Sequence, residues 1–252
     1  MGDQTLLEKW RREENMPFEG WDFSYLDGRM LDNPPPWSYM DRAKKLMQQS
    51  TTTIDIDTGG GEKLLDMRDH WSERMFASEG YPPNIKLAAE RLSPLGVSVI
   101  PMNSSDFTQM PFADNTFDLI LNRHGAFNCD ELARVLVSGG TFLTKQVHGM
   151  WAHDLLAVFG TKPQWPDASP EKYIPWLEQV GMSIVDVQDW NSNLEYTDVG
   201  AIVFHLTAVP WLVPNFAVNT YAKQLLGLQA RLDSGERLVF EARTYMIEAQ
   251  NA

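Results

Sequence analysis

The sequence has few of the residues that mark secreted or membrane proteins. Its 252 residues include a single cysteine, Cys129, so no disulfide can form within the chain and a reducing compartment is expected. No apolar run reaches the roughly 20 residues that a membrane span needs. Residues 1–15 contain no apolar stretch of the kind found in secretion signals. These absences predict a soluble, cytoplasmic protein that does not contact membranes.

Basic charge is also scarce. The chain has 21 Lys and Arg against 34 Asp and Glu, a formal net charge of -13 at pH 7. Proteins that bind nucleic acids usually present a basic face, so a nucleic-acid partner is not expected. Hydrophobic residues make up 43% of the chain, which is enough for a sizeable core and argues against disorder.

Several catalytic signatures are missing. No G-x-S-x-G sequence is present, so nothing indicates a serine hydrolase of that type. His148 and His153 do not have the i, i+4 spacing of a helical metal site, and no cluster of cysteines or carboxylates accompanies them. No metal site is therefore predicted, and Cys129 is interpreted as a structural residue.

Short apolar strands alternate with amphipathic helices, a pattern typical of an α/β fold with a doubly wound, mostly parallel sheet covered by helices on both faces. Seven strands are predicted, at 53–57, 74–79, 97–102, 116–122, 141–147, 183–190 and 240–249. Helices are predicted near 5–10, 38–49, 61–70, 82–92, 128–136, 169–181, 198–209 and 218–232.

Three consecutive glycines follow the first of these strands, in "TTTIDIDTGGGEKLLDM" (51–67). Glycines at a strand-to-helix turn let a ligand approach the backbone and expose N–H groups at the start of the helix. The dinucleotide-binding pattern G-x-G-x-x-G would require a further glycine where Leu64 stands. An NAD(P)-binding oxidoreductase is therefore a less favoured alternative.

The segment "IDIDTGGGE" resembles motif I, D-x-G-x-G-x-G, of the class I S-adenosylmethionine-dependent methyltransferases. Asp55 matches the aspartate of that motif, and Gly59 and Gly61 match its last two glycines, with Thr58 before them. Asp57 stands where the family has its first glycine. Aspartate tolerates left-handed backbone conformations better than most residues, so the turn is expected to form and to bind the cofactor.

Other motif positions follow in the family's order. Glu79, at the end of the second strand, matches the acid that holds the ribose hydroxyls, since a carboxylate can accept two hydrogen bonds from a diol. "SSDFTQMPFADNTFDLIL" resembles the family's D-x-x-x-L-P-F block, which implies that Asp106 and Phe107 contact the adenine. Asn122 and Arg123, at the end of the fourth strand, are expected to contact the methionine end of the cofactor.

The resemblance covers roughly residues 50–150 and implies a Rossmann-like fold whose last strand is antiparallel. It implies S-adenosylmethionine as cofactor, S-adenosylhomocysteine as product, and methyl transfer to an acceptor by in-line displacement. With the acidic charge, it favours a small-molecule acceptor. His124 and His148 are candidate general bases because they follow the fourth and fifth strands.

By the same resemblance, residues 1–50 form a helical, aromatic arm that caps the site, through Arg29 and Tyr39 among others. Residues 51–252 form the methyltransferase domain, in which about 191–232 are expected to form a lid. The chain is expected to be a monomer or a homodimer. The sequence leaves open which acceptor is used and whether nitrogen, oxygen or carbon is methylated.

Two further alternatives remain at this point. The first is an RNA base methyltransferase, which shares these motifs and would need a local basic patch. The second is a non-catalytic module that keeps the fold for cofactor binding, and Asp57 in motif I is the observation that favours it.

Overall fold

A computed structural model of the chain describes residues 2–18, 22–104 and 109–252. The strands are β1 (Met30–Asp32), β2 (Thr52–Ile56), β3 (Arg74–Glu79), β4 (Ser98–Pro101), β5 (Phe117–Arg123), β6 (Leu136–Val147), β7 (Met182–Tyr196) and β8 (Leu238–Asn251). The helices are α1 (Asp3–Glu14), α2 (Tyr39–Met47), α3 (Glu62–Leu65), α4 (Pro82–Leu92), α5 (Cys129–Val135), α6 (His153–Val158), α7 (Pro170–Gln179), α8 (Val199–Ala208) and α9 (Ala222–Asp233).

In the described part of the chain the strands form one mixed sheet in the order β1-β7-β8-β6-β5-β2-β3-β4. Five neighbouring strands of the sheet pair in parallel: β6, β5, β2, β3 and β4. Strand β8 pairs antiparallel with β6, and β1 pairs antiparallel with β7. The predicted α/β fold is confirmed. Within the described residues the sheet has eight strands instead of the predicted seven, because β1 (Met30–Asp32) lies outside all of the predicted strands.

Chain contacts divide the molecule into two compact units. Unit 1 comprises Met1–Pro35, His148–Ala168 and Trp190–Arg243. Unit 2 comprises Pro36–Val147, Ser169–Asp189 and Thr244–Ala252. The arm over 1–50 and the lid over about 191–232 stay predictions.

Unit 2 holds the parallel strands, of which the central β2 and β5 are buried on both faces and the edge strand β4 is not. All five residues of β2 are buried, as expected for a β-branched run inside a doubly covered sheet. Alternate residues of β5 enter different hydrophobic clusters: Ile120 packs with Leu132 of α5 and Leu177 of α7, whereas Leu119 and Leu121 join the cluster of α2, α3 and α4. Side chains alternate between the faces of a strand, so both faces of the sheet carry a core.

Unit 1 has its own core around α8. This helix is buried along most of its length, and the predicted helix over 198–209 is confirmed as Val199–Ala208. Asp198 caps it by accepting a hydrogen bond from the Ala201 N–H at 3.0 Å. The guanidinium of Arg29 pairs with Asp198 at 2.8 Å and with Glu13 of α1 at 2.9 Å. Both pairs hold the start of α8 beside α1.

Element boundaries differ from the predictions in places. The predicted helix at 61–70 is a single turn, α3, followed by a separate 3₁₀ turn at Arg68–His70. Strand β6 begins at Leu136, before the predicted start at residue 141, so Gly139 and Gly140 lie in the strand. The short helix α6 was not predicted. Among the described helices, none is both long and apolar enough to cross a bilayer.

The core of unit 2 predicts a large effect of truncating β5. Leu119 is fully buried, so Leu119→Ala should lower the free energy of unfolding by about 2–5 kcal/mol through lost burial and a residual cavity. Val185 in β7 is 54% exposed, and Val185→Ala should change it by about 0.5 kcal/mol or less. Urea denaturation of both variants measures the difference. Equal effects would contradict the assignment of β5 to the core.

Candidate functional site

The candidate site lies where the parallel strands of unit 2 end. Strand β2 is hydrogen-bonded to β3 on one side and to β5 on the other, and all three run in parallel. The strand order therefore reverses beside β2, which is the topological switch point where sheets of this kind bind ligands. The loops that follow Ile56, Glu79 and Arg123 meet at this edge.

The glycine turn that follows β2 contains three residues with left-handed backbone conformation. Asp57, Gly59 and Gly61 have φ angles of 56°, 65° and 81°. The N–H of Thr58 donates to the Ser78 carbonyl of β3 at 2.9 Å, and the N–H of Gly61 donates to the Thr58 carbonyl at 3.1 Å. Two of the three left-handed positions are glycine and the third is aspartate, so the turn that the motif predicts forms with Asp57 in place.

Gly61 also has a packing role. A Cβ atom at this position would lie 2.7 Å from Cδ1 of Leu92 in α4. Leu92 of α4 therefore packs this closely against the turn because residue 61 has no side chain.

The carboxylate of Glu79 binds the backbone of two loops. Its Oε2 accepts a hydrogen bond from the Gly59 N–H at 2.8 Å. Its Oε1 accepts from the N–H groups of Gly80 and Tyr81, both at 2.8 Å. A carboxylate has about four acceptor positions, so these bonds occupy most of them. Glu79 is buried and fixes the glycine turn to the end of β3.

Two further carboxylates lie in the same region. Burial raises the pKa of Asp55 to about 6, an effect that the Thr58 hydroxyl and the charge of Arg123 oppose and that Glu79 increases. Burial likewise raises the pKa of Asp57 to about 6. The hydroxyl of Ser104 donates to Oδ2 of Asp57 and opposes the rise, whereas the charges of Glu79 and Asp55 add to it.

A pocket contains both aspartates; we call it the carboxylate pocket. Its lining residues are Tyr39, Met40, Asp55, Asp57, Thr58, Lys63, Leu64, Met67 and Arg123. Burial raises the pKa of Tyr39 well above its usual value, and the negative charge of Asp55 adds to this. The predicted residues Tyr39, Asp55, Asp57, Thr58 and Arg123 are thus brought together.

A second, more apolar pocket lies beside it. Its lining residues are Ile56, Met102, Asn103, Ser104, Met110, Ala126, Phe127, Asn128, Glu131 and Leu132. A hydrogen bond joins Ser104, which lines this pocket, to Asp57, which lines the carboxylate pocket. Asp106 and Phe107, which were predicted to contact adenine, lie outside the described residues.

Asn122 is held by a buried polar network that sequence reasoning missed. Its Oδ1 accepts hydrogen bonds from the Thr144 hydroxyl at 2.9 Å and from Nε2 of Gln146 at 2.6 Å. The Gln146 amide also donates to the Gly125 carbonyl at 2.9 Å. The available signal was polar Thr144 and Gln146 at alternate positions of a strand expected to be buried on both faces.

The network fixes the orientation of the Asn122 amide. Because two donors meet Oδ1, the other amide atom must be Nδ2, and it has no hydrogen-bond partner within the described residues. Asn122 is fully buried. A Cβ atom on Gly125 would lie 2.9 Å from Nδ2 and would clash with the carboxylate of Asp57. Nδ2 of Asn122 and the carboxylate of Asp57 therefore both lie close to the position that a Cβ atom on Gly125 would take.

His124 directly follows β5. Its backbone is left-handed, with φ 67°, and its N–H donates to the Lys145 carbonyl at 2.9 Å. The surrounding protein, and then the charges of Arg123 and Lys145, lower the pKa of His124 below its ordinary value. Its side chain remains accessible to solvent. The lowered pKa keeps the imidazole neutral at pH 7 but makes His124 a weaker base than an ordinary histidine, so its candidacy as a base rests on its exposed position after β5.

Two predicted residues belong to unit 1. His148 is buried, and its Nδ1 accepts a hydrogen bond from the Met150 N–H at 3.0 Å. Arg29 is engaged by Glu13 and Asp198. Their assignment as a base and as a cofactor contact stays a prediction. No group of three or more potential metal ligands occurs in residues 2–18, 22–104 and 109–252.

Comparison with known proteins agrees with the motif order. Residues 54–144 match the family model described as a methyltransferase domain. This segment runs from β2 to β6 and contains the glycine turn, Glu79 and Asn122. No curated protein matches the chain significantly in sequence.

Solved structures share the fold at low identity. The YcgJ protein from Bacillus subtilis superposes with a TM-score of 0.61 at 16% identity, covering 84% of this chain and 97% of that one. A putative methyltransferase from Bacillus halodurans gives 0.59 at 16%, covering 84% and 96%. A SAM-dependent methyltransferase from Aquifex aeolicus gives 0.53 at 15%, covering 98% of both chains. The predicted resemblance to class I, Rossmann-like methyltransferases is confirmed by the matching domain model and by the shared fold.

Asp57 lies so close to the Cα of Gly125 that a Cβ atom at residue 125 would clash with it, and this predicts that substitutions at the two positions are coupled. Gly125→Ala should lower the free energy of unfolding by about 1–3 kcal/mol through overpacking, and Asp57→Gly should restore most of this loss in the double variant. A double-mutant cycle in urea measures the coupling. Gly227→Ala is the control, because a Cβ there meets nothing within 4 Å. Additive effects of the two site substitutions would contradict the contact.

The raised pKa of Asp57 predicts how stability changes with pH. Because the folded state binds the proton more tightly than an unfolded aspartate does, stability falls as pH rises from about 4 to about 6. The uncharged Asp57→Asn should therefore be more stable than wild type at pH 7.5, by at most about 3 kcal/mol, with little difference at pH 4. Urea denaturation at both pH values measures this, with exposed Glu90→Gln as control. A difference that does not change with pH would argue against the raised pKa.

Proposed function

We propose that this protein transfers a methyl group from S-adenosylmethionine to a small-molecule acceptor. The observation that carries the proposal is the hydrogen bond between Glu79 and the Gly59 N–H, which joins the motif I turn to the acid of the next strand. Both residues lie inside the segment that matches the methyltransferase domain. The net charge of -13 supports a small acceptor over a polyanion such as RNA.

The residues present fit the cofactor. The fully buried Nδ2 of Asn122 lacks a partner among the described residues, and ligand oxygens are acceptors for such a donor. Arg123, in the carboxylate pocket, would pair with the α-carboxylate of the cofactor. Glu79 would hold the ribose hydroxyls by exchanging backbone hydrogen bonds for them. Asp55, Asp57, Thr58, Gly59 and Gly61 form the wall beside these groups.

The chemistry needs little from the protein beyond positioning. When bound, S-adenosylmethionine supplies a methyl group that is already electrophilic. The protein orients an acceptor in line with that methyl group and excludes water. His124 is the proposed base because its exposed imidazole directly follows Arg123 of the carboxylate pocket, where it could take the proton that the acceptor releases. The single cysteine supports the cytoplasm as the compartment.

Calorimetric titration with S-adenosylmethionine and S-adenosylhomocysteine at pH 7.5 tests the proposal. Wild type should bind both. Arg123→Met should weaken both by a similar factor of at least about ten, or about 1.4 kcal/mol, since each carries the α-carboxylate. Arg68→Met, at an exposed arginine outside the pocket, is the control. No binding of either compound by wild type at about 1 mM, a free energy of about -4 kcal/mol, would overturn the proposal.

A further inference from the structure

Asp57 carries a charge that the described residues do not compensate. The charged groups that act on it are Glu79 and Asp55, both of its own sign, and its hydrogen-bond partner is the neutral Ser104. Arg123 acts on Asp55. Lys63, the other cation of the carboxylate pocket, pairs with Asp66 at 3.0 Å. The pocket therefore has a local excess of negative charge.

The turn itself does not explain this carboxylate. Glycine adopts a φ of 56° more readily than aspartate, and it would avoid the unfavourable burial of a charge beside like charges. A partly buried carboxylate in such surroundings is stabilised when a cation binds next to it. Asp57 is therefore better explained by a cationic ligand group than by local folding.

An independent observation on the neighbouring strand β5 points to a ligand near Asp57. The fully buried Nδ2 of Asn122 has no partner within the described residues, and it flanks, with Asp57, the point above the Cα of Gly125. The site thus presents an unused donor beside an uncompensated carboxylate. A ligand with an acceptor and an excess positive charge would satisfy both.

We propose that Asp57 is a specificity-determining residue that makes the site prefer cationic S-adenosylmethionine to its neutral product, S-adenosylhomocysteine. This inference rests on the proposed function. The two compounds share the adenosine, the α-ammonium and the α-carboxylate, and differ by the methyl group and the sulfonium charge. After transfer, the thioether no longer offsets the charge of Asp57, so the product is released in exchange for fresh cofactor.

Calorimetric titration of wild type and Asp57→Asn at pH 7.5 tests this with three probes: S-adenosylmethionine, S-adenosylhomocysteine and sinefungin, in which a charged amine group replaces the methylated sulfonium. Wild type should bind the two cationic compounds more tightly than the product. Asp57→Asn should reduce this preference at least about fivefold, since it removes one nearby charge. Asparagine tolerates left-handed backbone, and Asp57→Gly should reproduce the result if asparagine perturbs the fold.

Glu90→Gln is the matched control, because it removes one negative charge at an exposed position on α4, where Glu90 pairs with Lys86. It should leave the preference unchanged. A preference that is the same in Asp57→Asn and wild type, or an equal loss of affinity for all three probes, would overturn the role of Asp57 while leaving the proposed function standing. Failure of wild type to bind any probe would instead overturn the proposed function, and this inference with it.

Discussion

The carboxylate of Glu79 is the interaction on which the candidate site depends. It accepts hydrogen bonds from Gly59 in the turn after β2 and from Gly80 and Tyr81 in the loop after β3. Hydrogen bonds to a charged acceptor are stronger than those between neutral groups, and burial protects them from competing water. One side chain thus ties the turn after β2 to the loop after β3.

Polar atoms at the strand ends are organised around this arrangement. Asp55 lies near the end of β2 and Asp57 directly follows it, whereas Asn122 and Arg123 end β5. The two strands are hydrogen-bonded neighbours in parallel register. The register places Ile56 opposite Asn122, so the residues that follow each strand meet at one edge. The parallel sheet therefore converts positions more than sixty residues apart in sequence into one local environment.

Much of this could be predicted from local sequence. The β-branched run 52–56, the glycine turn and the acid at the end of β3 have patterns set by neighbouring residues, and each was found at the predicted place. Strand β1 could not be found this way. It is only three residues long, and it pairs with residues 194–196 of β7. Its stability therefore depends on residues far away in the sequence, which a local sequence pattern does not indicate.

The same limit applies to the site. Asn122 was predicted as a site residue, but its amide orientation depends on Thr144 and Gln146 of the neighbouring strand. That dependence requires the strand order, which alternation of apolar and polar residues does not reveal. The position of Asp57 was evident from the motif, whereas its like-charged surroundings became visible only once β2 and β3 were placed side by side.

The hydrogen bond between Asp57 and Ser104 has a kinetic consequence. It joins a residue that lines the carboxylate pocket to one that lines the apolar pocket, so a ligand that reached from one pocket into the other past these two side chains would first have to separate them. Separation of the Asp57 and Ser104 side chains is then a unimolecular step that precedes occupation of both pockets by the ligand. At high ligand concentration the observed association rate would level off at the rate of that separation, instead of rising in proportion to concentration.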